Sequence, residues 1–178
     1  MTIRSEIKRQ VRERANFACE YCGVSEIDAG GEWTIDHFKP QSHGGGDELD
    51  NLVYACMRCN LHKADYWLTK DTDIPLWNPR QGDYPDHFFT AENGVLHAIT
   101  EIGALTINRL QLNRGPLVAH RARRRKYRDL ERFIELNQET ASVVELLAGQ
   151  EISLLESETE RSEAQQAFLK LLARRRNL

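Results

Sequence analysis

Cys19-Glu20-Tyr21-Cys22 and Cys56-Met57-Arg58-Cys59 hold all four cysteines of the chain, as two C-x-x-C pairs with none left over. Two such knuckles place four thiolates around one ion at tetrahedral distances, a ligand set that suits Zn²⁺. One pair alone would equally suit a thioredoxin-like redox site, whereas two pairs without remainder favour zinc. Four cysteines leave no position for water, so a structural ion is expected. The 33 residues between the pairs exceed ordinary zinc-ribbon spacing, so a folded element is expected between them. Gly23 fits the tight turn of a knuckle.

Between the pairs, Trp33-Thr34-Ile35-Asp36-His37-Phe38 is rich in β-formers and reads as a strand ended by Pro40. Gln41 to Asp50 reads as a loop, given freedom by Gly44-Gly45-Gly46. Asn51-Leu52-Val53-Tyr54-Ala55 reads as a second strand running into Cys56. Asn60 to Leu68 has helical character, with Asn60 as its cap. The expected unit is strand, loop, strand, helix, pinned at its base by zinc.

The order C-x-x-C, Asp-His, glycine-rich loop, Asn-Leu-Val, C-x-x-C-Asn, then Lys resembles the HNH endonuclease family over about residues 10–68. The resemblance implies a ββα-metal (His-Me) finger fold and a role for each matching residue. His37 would be the general base that takes a proton from the attacking water. Asp36 would bind a catalytic divalent metal, Mg²⁺ or Mn²⁺. Asn51 would brace the loop and orient the imidazole of His37. Asn60 would be the second metal ligand, where many members carry His, making this an HNN variant. Lys63 would lie near phosphate, with His62, Arg58 and Arg12 as further nucleic-acid contacts. Cys19, Cys22, Cys56 and Cys59 would hold the structural zinc. The implied reaction is hydrolysis of DNA to 5′-phosphate and 3′-hydroxyl ends.

The chemistry suits these residue types. A hard cation held by one carboxylate and one amide oxygen keeps open positions for phosphate and water. An unperturbed imidazole titrates near ~6.5, so it can act as a base at physiological pH. Taken singly, each residue has a plainer reading. Asp-His on a strand is usually structural, and Asn51 and Asn60 would be turn and cap residues. The joint pattern inside paired knuckles favours catalysis. His87, His97 and His120 have no partner spacing and read as structural or exposed.

Composition bounds the rest. Of 178 residues, 40% are hydrophobic and 29% charged, which excludes collagen-like, membrane-spanning and wholly disordered classes. The first residues lack an apolar signal region, so the cytoplasm is the expected location and disulfides are not expected. The net charge of −3 is unevenly spread, with six cations in 121–128 and eight glutamates against one arginine in 135–163. Ile3, Ile7, Val11 and Ala15 mark one face of an amphipathic helix with cations on the others. Those cations read equally as a solvated face or as contacts to nucleic-acid backbone.

Residues 71–86 read as a loop with Trp77 buried. Asn93-Gly94 signals a hairpin between 87–91 and 95–99. Helices are expected at Ala104–Asn113, broken by Gly115-Pro116, then at Leu117–Asn137 and Ala141–Leu155. A capping box at Ser157–Glu160 would start a last helix running through Arg175.

The fold expected is α+β. It has an HNH core over 1–70, a loop, hairpin and short helix over 71–115, and a helical extension over 116–178. That extension could pack on the core, form a homodimer or bind a partner protein. The competing functions are a DNA endonuclease, a non-catalytic zinc-dependent nucleic-acid-binding module, and a partner-gated effector of a bacterial antiviral defence system.

Overall fold

The computed structural model describes residues 3–70, 72–152 and 158–175. The architecture is α+β, with two small antiparallel sheets, helices around them and a four-cysteine cluster. The chain divides into two compact units, Met1–Arg123 and Arg124–Leu178. The segments 1–70 and 71–115 both lie in the first unit, as do the first residues of the extension.

The first unit opens with α1 (Ser5–Arg14), whose Val11 is buried with Leu52 and Tyr54 while Ile3, Ile7 and Ala15 pack around them. The first knuckle follows. Cys19 N donates to Val24 O at 2.9 Å and Gly23 N to Cys19 O at 2.7 Å, with Gly23 at φ +74°. A positive φ costs glycine little, which is why it stands here. A single turn, α2 (Glu26–Ala29), leads into β1 (Thr34–His37). β1 pairs antiparallel with β2 (Leu52–Ala55), with Thr34 opposite Ala55 and His37 opposite Leu52. α3 (Met57–Lys63) completes the ββα unit.

α3 starts three residues earlier than the sequence reading placed it. Its cap is Cys56, whose Sγ accepts the Cys59 N–H at 3.4 Å, and Asn60 sits inside the helix. The second knuckle and the helix N-terminus are therefore one structure. Ala64, at φ +53° and ψ −138°, ends the helix before Leu68.

A loop with Leu76 and Trp77 buried leads to α4 (Tyr84–His87), β3 (Phe88–Thr90) and β4 (Leu96–Ala98). The hairpin closes through the three residues 92–94 that the sequence reading left between its strands. Gly94 N donates to Ala91 O, Ala91 N to Val95 O, and Gly94 takes φ +84° as the bulge residue. α5 (Glu101–Arg109) is capped by Thr100, whose Oγ1 accepts from Gly103 N.

Gly115 and Pro116 do not act only as a break: they begin α6 (Gly115–Ile152), since proline is suited to a first helical turn. The two helices expected at 117–137 and 141–155 are one. Thr140 and Ser142 return their hydroxyls to Leu136 O and Gln138 O, so the polar stretch between them stays helical. Leu117 is buried, and Arg121 donates to Gly94 O at 2.7 Å and Leu112 O at 2.9 Å. One cation of the 121–128 run is thus structural. In the second unit α7 (Glu158–Arg175) accompanies α6, with Leu136, Ala164 and Leu171 buried and Arg175 over the Phe133 ring. The serine of the expected capping box lies outside the described residues. Among the described residues, no helix is long and apolar enough to cross a membrane.

Candidate functional site

Cys19, Cys22, Cys56 and Cys59 place their Sγ atoms within 4.8 Å of one another. Cys22 and Cys56 are 3.8 Å apart, close to the edge of a tetrahedron built on Zn–S bonds of about 2.3 Å. The donor set fits zinc on chemistry as well. Burial pushes the Cys19 thiol well above its usual range, while bonds from neighbouring thiols push Cys56 down. Four clustered thiolates, three of them buried, need a cation to coexist. Arg114 Nη2 stands 3.9 and 3.7 Å from the sulfurs of Cys56 and Cys59, where it offsets the surplus negative charge of such a centre. The second knuckle runs from β2 into α3, and in the first Glu20 N donates to Tyr54 O of β2 at 2.8 Å, so the ion would set the geometry of the ββα unit.

His37 closes β1. Its imidazole is largely buried, at 16% exposure, and Nε2 lies 2.7 Å from Asp47 Oδ1. A carboxylate at Nε2 keeps the proton there and leaves the Nδ1 lone pair as the acceptor. The ring also borders a groove with Lys8, Arg9 and Arg12 of α1, Trp33 and Met57.

Asn51 braces the loop. Its Oδ1 accepts Lys39 N at 2.8 Å, and its Nδ2 donates to Lys39 O and Gly46 O. It does not hold the imidazole; Asp47 does. The loop is also tighter than three glycines imply, because a Cβ on Gly45 would lie 1.8 Å from Lys39 O.

Asp36 faces the other way, since successive strand residues alternate. It is 6% exposed. Oδ2 accepts the Tyr21 hydroxyl at 3.0 Å, and Lys63 Nζ stands 3.3 Å from both carboxylate oxygens. Lys63 is fully buried and also donates to His37 O at 2.8 Å. Burial raises the Asp36 pKa and lowers that of Lys63, each opposed by the other's charge.

Two expectations are corrected here. Lys63 is not at hand for phosphate, because its ammonium is enclosed with Asp36. Asp36 and Asn60 do not fit a catalytic divalent cation as arranged, because the Lys63 ammonium already stands against both carboxylate oxygens of Asp36. Asn60, half-buried, lies one helical turn before Lys63. Arg12 is also drawn away from a backbone contact, since its guanidinium is bidentate to Glu26 at 2.7 and 2.8 Å and reaches Glu32 at 3.1 Å. Arg58 is exposed and His62 half-buried.

Removing Lys63 leaves a buried carboxylate without its counter-charge. Lys63→Met is expected to destabilise the first unit by about 3–5 kcal/mol, and Asp36→Asn added to it to recover part of that. Urea unfolding followed by Trp fluorescence checks this; an unchanged midpoint for Lys63→Met would refute the enclosed pair.

Asp47, Tyr21 and Arg114 were not singled out by sequence. Asp47 carries a usable signal, an acid directly after the glycine run and ten residues from the histidine. Tyr21 sits between two ligands, where a knuckle residue has no evident task. Arg114 has no signal at all.

Residues 19–65 match the family model described as HNH endonuclease. Comparison with curated proteins and with solved structures gave no significant match. With its cysteines clustered beside a ββα unit, the segment 19–65 carries the HNH endonuclease signature, of the zinc-knuckle type.

Proposed function

We propose that this chain is an endonuclease that hydrolyses DNA phosphodiester bonds with His37 as the general base. The observation that carries this reading is the His37–Asp47 pair at the edge of a groove lined by α1. Nδ1 of His37 takes the proton of an attacking water. Asp47 holds the ring in the required tautomer and stabilises the imidazolium as it forms, the role a carboxylate plays behind any catalytic histidine. Water attacks phosphorus, the bond to the 3′-oxygen breaks, that oxygen takes a proton from solvent, and 5′-phosphate and 3′-hydroxyl ends result. Zinc in the four-cysteine cluster would hold the fold rather than the substrate.

Charge in the groove is selective. Arg9 and Arg12 are paired with glutamates, whereas Lys8 has no ion-pair partner among the described residues. Lys8 and exposed Arg58 are the cations offered to phosphate. Because Asp36 is enclosed by Lys63, no step of this mechanism runs through a second metal.

The test is cleavage of supercoiled plasmid by the zinc-loaded chain, with Mg²⁺, with Mn²⁺, and with no added divalent cation. Nicking in at least one condition is expected. An intact plasmid in all of them would overturn the reading in favour of a binding module. Asp47→Asn is expected to slow cleavage about 10–100-fold, the usual cost of losing a partner that orients an imidazole. A rate equal to wild type would remove Asp47 from the mechanism.

A further inference from the structure

The first unit holds a second cavity that the hydrolysis does not use. Its volume is about 290 Å³, at the small end for ligand pockets and suited to one flat ring system. Phe38, Tyr66, Trp67 and Trp77 line it, together with aliphatic Leu76 and Ile102. Phe38 and Trp67 meet edge to face with centroids 6.1 Å apart. The indole N–H of Trp77 is satisfied by Gly82 O at 2.9 Å, so that ring offers the cavity only its carbon surface.

Two cations lie against these rings. Lys39 Nζ is 5.7 Å from the Trp67 ring centroid, and Arg109 Cζ is 5.1 Å from that of Tyr66. Polar groups border one side. His87 bonds Thr100 Oγ1 through Nδ1 at 2.7 Å, and a Cβ on Gly82 would meet its Nε2 at 3.5 Å. Gln81 contributes an amide to the lining.

We infer that this cavity takes an unpaired nucleobase of the bound strand. The inference rests on the nuclease reading for the identity of the strand. Aromatic faces flanked by cations are what a nucleotide needs, stacking for the base and positive charge for its phosphate. An aliphatic ligand would gain nothing from Lys39 and Arg109. A free anion would need a cation inside the cavity, whereas Lys39 and Arg109 lie against two of the lining rings, those of Trp67 and Tyr66, and not in the lining itself. His87 Nε2 and Gln81 supply hydrogen bonds to a base edge. Phe38 directly follows His37, and strand alternation sends the two side chains to opposite faces, so a base seated here would be held apart from the groove that His37 borders.

The experiment uses the full zinc-loaded chain carrying His37→Ala, so that the strand survives. Fluorescence anisotropy compares a labelled single strand with a strand of equal length whose central nucleotides are abasic. The intact strand is expected to bind about tenfold or more tightly, the usual worth of stacking one base. Trp67→Ala and Gly82→Leu should each abolish that preference while leaving affinity for the abasic strand within about twofold. Trp67→Phe should keep it. Equal affinity for both strands, or a full preference in both Trp67→Ala and Gly82→Leu, would overturn the inference. The nuclease reading fails separately, on an uncut plasmid, whatever the base preference proves to be.

Discussion

His37→Ala is expected to lower DNA cleavage by at least about 100-fold while leaving zinc content and thermal midpoint unchanged. General-base catalysis by a positioned side chain is typically worth about 10²–10⁴-fold. The histidine lies at the end of β1 and belongs to neither buried hydrophobic cluster of the first unit, so its truncation leaves both clusters intact. The polar partner of its ring among the described residues, Asp47, is 30% exposed and can turn to water when the imidazole is gone. Loss of cutting therefore reports chemistry rather than unfolding. Single-turnover cleavage of a labelled duplex, with zinc quantified on the same sample, measures both. A variant that cuts at the wild-type rate would show that another group takes the proton.

The second large effect falls on the fold. Cys59→Ser is expected to drop zinc below one ion per chain and to melt the first unit at ordinary temperature. Apparent zinc affinities of small zinc domains amount to about 10–16 kcal/mol, and that binding is folding energy. A domain's net stability is only about 5–15 kcal/mol, so the loss of a ligand is of the same order as the whole. Cys59 is fully buried, and Cys19, Cys56 and Cys59 belong to the same cluster as Val53, Trp77 and Phe88. Zinc loss would thus open the main core. It would also release the N-terminus of α3, where Cys56 accepts the amide of Cys59. Near-ultraviolet circular dichroism with metal analysis reads the outcome, and a chelator should reproduce it in wild type. Full zinc occupancy with a normal melt in Cys59→Ser would refute the four-thiolate site.

The two variants separate the two metal questions. The cysteine cluster fits an ion by distance, donor type and burial. The Asp36 side does not, because Lys63 already neutralises the carboxylate. Adding Mg²⁺ or Mn²⁺ to the plasmid assay therefore asks whether an external cation can displace a fully buried ammonium.

Much of the first unit was legible in the sequence because its signals are local. C-x-x-C spacing, a β-rich run beside Pro40, and Asn93-Gly94 each specify backbone geometry within a few residues. The strands, the hairpin and the buried Trp77 followed from these. Local signals misled where a distant residue intervenes. Asn60 resembles a cap, but the sulfur of Cys56, a member of the four-cysteine cluster, already fills that place. The polar residues from Asn137 to Ser142 resemble a break, but their hydroxyls return to carbonyls one turn back.

Sequence by itself pointed to the four-cysteine cluster and the ββα order, since residue type and spacing decide these, and the family resemblance offered His37 as the candidate base. Only the tertiary structure decided what each charged group faces. It gave His37 to Asp47, Arg12 to Glu26 and Lys63 to Asp36. The last pair joins residues 27 positions apart across a strand and a helix. Spacing along a chain records which charges exist, but burial decides which of them must neutralise one another, and burial is a property of the packed core.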